Sequence, residues 1–207
     1  MHFQGEYEAA RVLHEESLAI SREQNDKQGI CDSLDHLGNA AREQGDYDAA
    51  AAYYEESPAI NRELRNKSGI AWSLNQLGLV ADAQGDNTAA MALYEESLSL
   101  SRDLGDSWGI AWSLNNLGKV ARQQGEVEAA QALHKASLAI SKELGDLRGM
   151  AWSLNGLARL SYEKGDLRSA QLTYEERLSI HTRLNDTRGI AESEEGLAAV
   201  ATALGRS

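Results

Sequence analysis

The chain has 207 residues and a formal net charge of −12, a balance that opposes nucleic acid or an anionic membrane as a partner. One Pro and 6% aromatic residues argue against a β-sandwich or barrel, which needs many turns and strand formers. No apolar run nears the ~18 residues of a membrane helix. The opening residues lack the apolar segment of a signal peptide, and the lone Cys31 fits a reduced, cytoplasmic setting.

In chain order, the first predicted element is a helix over about Glu6–Gln24. Asp26 then caps a second helix that stops at Gly45, and Asp46 caps a third. The same punctuation returns every 40 residues. Gly5, Gly45, Gly85, Gly125, Gly165 and Gly205 keep that spacing, as do Leu37, Leu77, Leu117, Leu157 and Leu197. Asp46, Asp86, Glu126 and Asp166 are placed to cap one helix of each unit, and Asp26, Asn66, Asp106, Asp146 and Asp186 the other. In the fourth unit the helices run from Glu126 to about Leu144 and from Asp146 to about Lys164. The last element is a helix over about Thr187–Leu204.

Leu154, Leu157, Ala158 and Ser161 form one apolar stripe at helical spacing, and Ala130, His134, Ser137 and Leu138 another. No unit can bury its stripe alone, so neighbours must stack. The expected fold is all-α: a right-handed superhelical solenoid of antiparallel helix pairs, about ten helices, as a single array over residues 1–207. The array starts and stops in mid-repeat, and we expect it to be part of a longer protein. Open repeat ends also offer head-to-tail self-association.

The motifs Leu74-x-x-Leu77-Gly78, Gln44-Gly45-Asp46-Tyr47 and Ala90-x-x-x-Tyr94 resemble the tetratricopeptide repeat, over essentially the whole chain. The period is 40 rather than the usual 34, and this longer form is similar to kinesin light chains, Pins-type polarity adaptors and bacterial signalling ATPase and regulator arrays. The resemblance implies a protein- or peptide-binding scaffold in a signalling protein. It also implies that the Gly-to-Gly helices line a concave groove.

A helical wheel points the same way. With Trp152 at zero and about 100° per residue, the core stripe clusters near 190°, while Asn155, Gly156 and Arg159 lie within about 60° of Trp152. The candidate groove residues are therefore Trp72, Asn75, Trp112, Asn115, Lys119, Arg122, Trp152, Asn155 and Arg159. Asn offers a donor and an acceptor to an extended backbone, and Trp supplies apolar area. The plainer alternative is that the Trp residues only pack on one another and stiffen the array. Lys119, Arg122 and Arg159 favour a ligand with acidic groups, whereas the end units carry Asp32, Asp35, Glu192 and Glu195 at the Trp and Asn positions.

Catalytic chemistry is not indicated. His14 and His134 stand where Tyr54, Tyr94 and Tyr174 stand, and read as packed substitutes. There is no metal-ligand spacing, no phosphate loop and no nucleophile with its base, so neither a cofactor nor an enzyme activity is expected. A small-ligand sensor and a purely structural repeat unit are the competing functions. Pro58 occupies a mid-helix position held by Leu18, Leu98, Leu138 and Leu178, where a kink is expected.

Overall fold

The computed structural model describes the backbone of residues 2–205 and the side chains of residues 11–205. Its described residues form ten helices and no strand. They are α1 (His2–Glu23), α2 (Lys27–Gln44), α3 (Tyr47–Glu63), α4 (Lys67–Ala83), α5 (Asn87–Leu104), α6 (Ser107–Gln123), α7 (Val127–Leu144), α8 (Leu147–Glu163), α9 (Leu167–Leu184) and α10 (Thr187–Ala203). Links of two or three residues force successive helices to turn back on each other. The all-α repeat expected from the 40-residue period is what forms.

The links follow the capping chemistry, with one exception. Asp46 accepts a hydrogen bond from the Ala49 amide and Asp86 from Ala89. Asp26, Asn66, Asp106 and Asp186 do the same three residues on. Glu126 holds the N-cap of α7 but makes no side-chain cap bond; its extra methylene carries the carboxylate past the free amides. At the other helix ends the chain turns through the left-handed region, usually at Gly, as at Gly105 and Gly145. Arg65 takes the same turn with φ 56°, where a Cβ is unfavourable. Arg65→Gly is expected to raise the unfolding free energy by about 0.5–1 kcal/mol, measured by urea denaturation; an unchanged midpoint would count against strain at this turn.

The chain divides into two compact units, Met1–Gly105 and Asp106–Ser207. In unit 1, helices α1 to α5 pack each on the next. Leu18, Ile30, Leu34 and Leu37 form one core cluster there. Ala50, Tyr54 and Val80 form another. Tyr54 is fully buried against Gly38, whose Cβ, if present, would lie 2.5 Å from the ring. Burying an aromatic ring of this size contributes on the order of 4 kcal/mol, so this glycine is a packing requirement. The helix α3 runs unbroken through Pro58.

In unit 2, α6 to α10 stack in the same order, and α6 also touches α8. Its clusters are Ala121, Ala130 and Leu160, then Ala151, Leu154 and Ile180, then Ala158, Ala170, Tyr174 and Val200. Buried serines tie helix to helix: Ser57 to Ser73 at 3.1 Å in unit 1, Ser137 to Ser153 at 2.9 Å in unit 2. Ser137 also donates to the Ala111 carbonyl at 2.7 Å. Each hydroxyl thereby meets a partner that burial would otherwise deny it.

Candidate functional site

Unit 2 brings six of the nine groove residues to one cleft. It lies over α6 and α8, with α7 beneath. Asn115, Lys119 and Arg122 enter from α6, and Trp152, Asn155 and Arg159 from α8. Helical spacing of three to four residues puts each trio on one face. His134 of α7 and Gly156 of α8 also line the cleft, whose room is about 130 Å³.

Trp112 stands at the cleft's edge. Its ring centroid is 5.7 Å from that of Trp152, and 4.5 Å from that of Trp108, edge to face. Trp108 was not among the sequence candidates, because the other units carry Gln28, Ser68, Arg148 and Arg188 at its position. A lone aromatic next to a repeated one was the available signal. The crevice among the three rings measures about 10 Å³, room for no more than a water. The cluster is therefore a shelf, with Trp108 40% and Trp152 43% exposed, and not a slot. The Trp112 ring thus packs on both Trp108 and Trp152.

Beneath the cleft, His134 is 2% exposed and its Nδ1 lies 3.0 Å from Asn115 Oδ1. An amide oxygen only accepts, so the ring donates from Nδ1. Burial, helped by the nearby Arg122 guanidinium, pushes His134 down to about 4, so the imidazole is neutral at pH 7. Arg122 pairs with Glu163 at 2.8 Å. Lys119 and Arg159 are exposed and, with Arg122, bring three cationic groups to the cleft. The wider charge distribution agrees: residues 1–105 carry 8 Lys or Arg against 19 Asp or Glu, residues 106–207 carry 12 against 13.

The remaining predicted residues behave differently. Trp72 and Asn75 belong to α4 of unit 1. Trp72 is half-buried, but Asn75 is only 3% exposed and donates to Ser97 Oγ at 2.7 Å. It does not face solvent as the helical wheel expects, because α5 covers it. The acidic end positions are also more than bare charge. Glu192 accepts a hydrogen bond at 2.8 Å from Arg177, itself 4% exposed, so here a buried arginine and a glutamate replace the serine and tryptophan of other units. Among the described residues no group of His, Cys, Asp and Glu could hold a metal ion, and no helix is long and apolar enough to cross a membrane.

The tetratricopeptide repeat family model matches residues 1–63, 34–103 and 109–183. The chain belongs to the tetratricopeptide repeat family. Such repeats are in general protein-interaction scaffolds and typically non-enzymatic. No curated protein matches the sequence. Among solved structures, the chain is similar to BtubC (BKLC) from P. vanneervenii, with TM-score 0.81 and 22% identity over 97% of this chain and 85% of that one. It is also similar to the nearly identical TPR-like repeats of a kinesin light chain-like protein from Podosopora anserina, with TM-score 0.64 and 21% identity over 84% and 86%. The apo form of RapI follows at TM-score 0.69 and 13% identity, over 100% and 81%. At these identities the likeness concerns the fold.

Proposed function

We propose that this protein is a peptide-binding adaptor that seats an acidic segment of a partner on the unit 2 cleft. The observation that carries the reading is the convergence of Asn115, Lys119, Arg122, Trp152, Asn155 and Arg159 on one concave surface beside an exposed Trp shelf. Apolar area next to amides and cations suits an extended chain, since the shelf takes a side chain while amides and cations orient it. Rim charges speed encounter and select sign more than they add affinity. We place the adaptor in a reducing, cytoplasmic setting, consistent with the buried and unpaired Cys31, and in a signalling context like that of the repeat arrays it resembles.

Charge reversal tests this directly. An array of 12-residue peptides of graded charge is probed with the wild type and with Lys119→Glu/Arg159→Glu. Both side chains are exposed, so helicity by circular dichroism is expected to stay unchanged. The wild type is expected to prefer acidic peptides, and the double variant to bind them at least tenfold more weakly, about 1.4 kcal/mol. Equal binding by both proteins would remove the cleft as the site. Binding that loses charge preference in the wild type, and instead tracks a metabolite added to the buffer, would favour a small-ligand sensor.

A further inference from the structure

The ring of His134 is held from both sides. A Cβ on Gly118 of α6 would lie 2.9 Å from its Cε1, and one on Gly156 of α8 would run into its Nε2. The neutral imidazole carries a single N–H, on Nδ1 or on Nε2. Nδ1 lies against Asn115 Oδ1, whereas Nε2 is buried with no hydrogen-bond partner among the described residues. Buried donors without acceptors are rarer than acceptors left bare, so the hydrogen sits on Nδ1. The Asn115 carboxamide then turns its oxygen to the ring. Its NH2 group faces away from the ring and has no hydrogen bond to any described residue.

Asn115 lines the cleft and also the crevice among Trp108, Trp112 and Trp152. We infer that His134 is a positioning residue: it aims the Asn115 NH2 group into the cleft, as the donor for a main-chain carbonyl of the bound peptide. The inference rests on the peptide-binding reading above and goes further, since it fixes which end of the Asn115 carboxamide meets the ligand. A main-chain carbonyl fits because it only accepts, and every residue of an extended chain brings one past the shelf. Unit 1 shows what tyrosine does at the same place. The Tyr54 hydroxyl donates to Asn39 Oδ1 at 3.0 Å, one turn beyond Asp35, which stands where Asn115 stands. Asp35 Oδ1 is left without a partner. In α4 the Asn75 amide is bonded within the fold, to Ser97 Oγ. Only an imidazole, shorter than a phenol, reaches back to the carboxamide as His134 does.

Two measurements test this. Long-range ¹H–¹⁵N NMR correlations of the wild-type imidazole at pH 7 are expected to place the His134 hydrogen on Nδ1. A hydrogen on Nε2 overturns the inference, and this readout needs no variant to fold. Binding is read on the array of 12-residue peptides of graded charge, with its tightest acidic peptide. His134→Ala and Asn115→Ala are each expected to weaken binding about fivefold, the effect of one hydrogen bond. The double variant is expected to be no weaker than either single one, since both remove the same contact. His134→Asn, whose Nδ2 stands where the imidazole Nδ1 stands, is expected to bind within about twofold of the wild type. Additive losses of about 25-fold in the double variant, or a folded His134→Ala that binds undiminished, overturn the inference and leave the peptide-binding reading standing. So does a loss in folded His134→Asn as large as that in His134→Ala. A wild type that binds no peptide on the array removes the reading and the inference together.

Discussion

Replacing Asp35 by Asn is expected to stabilise the fold by about 2–4 kcal/mol at pH 8 and by almost nothing at pH 4. Asp35 stands on α2 at the position of Asn75, Asn115 and Asn155. Its Oδ1 is buried with no partner among the described residues. Burial, with the Asp32 carboxylate one turn away as a second cause, pushes its pKa up from 3.8 to about 7. A carboxyl raised on folding holds its proton better in the folded state than in the unfolded one. Its contribution is therefore fully present below about pH 4 and is lost as the pH rises through 7. Asn75 shows that an amide is accommodated here, since it donates to a serine of the next helix. Urea unfolding at pH 4, 6 and 8 of both proteins isolates the effect, because all other groups cancel in the difference. A difference that does not grow between pH 4 and pH 8 would show that Asp35 is not desolvated.

The second large effect is at Pro58. It lacks the amide hydrogen that would bond to the Tyr54 carbonyl, in the interior of an otherwise continuous helix. The equivalent Leu18 and Leu98 are buried, at 6% and 7% exposure, so a leucine side chain has a place in this packing. Pro58→Leu is expected to raise stability by up to about 3 kcal/mol, read as a higher melting temperature by circular dichroism. An equal or lower melting temperature would mean that local packing around Pro58 has adapted to the ring.

Which parts of this were legible in the sequence depends on the range of the forces involved. The helices were, because Asp26, Asp46 and their equivalents act within three residues and the turn glycines within one. The cleft was legible where residues project from one helix face, as Asn115, Lys119 and Arg122 do. It was not legible where a second helix decides. Asn75 looks solvent-facing on its own helix and is buried by α5. Glu192 looks like a free charge and is tied to Arg177, fifteen residues earlier. Trp108 joins the shelf only because its ring reaches Trp112 edge to face. His134 reads as a packed substitute for tyrosine and is buried as one, but its bond to Asn115 needs two helices at once to see.

The most direct measurement uses the four tryptophans as reporters. Two-dimensional NMR of ¹⁵N-labelled protein resolves one indole N–H signal for each of Trp72, Trp108, Trp112 and Trp152, assigned by single Trp→Phe variants. Titration with an acidic peptide selected on the array is expected to shift the Trp152 and Trp112 signals while Trp72 stays in place. Movement of Trp72 alone, or of no indole at a peptide concentration that saturates binding, would contradict a ligand seat in the unit 2 cleft.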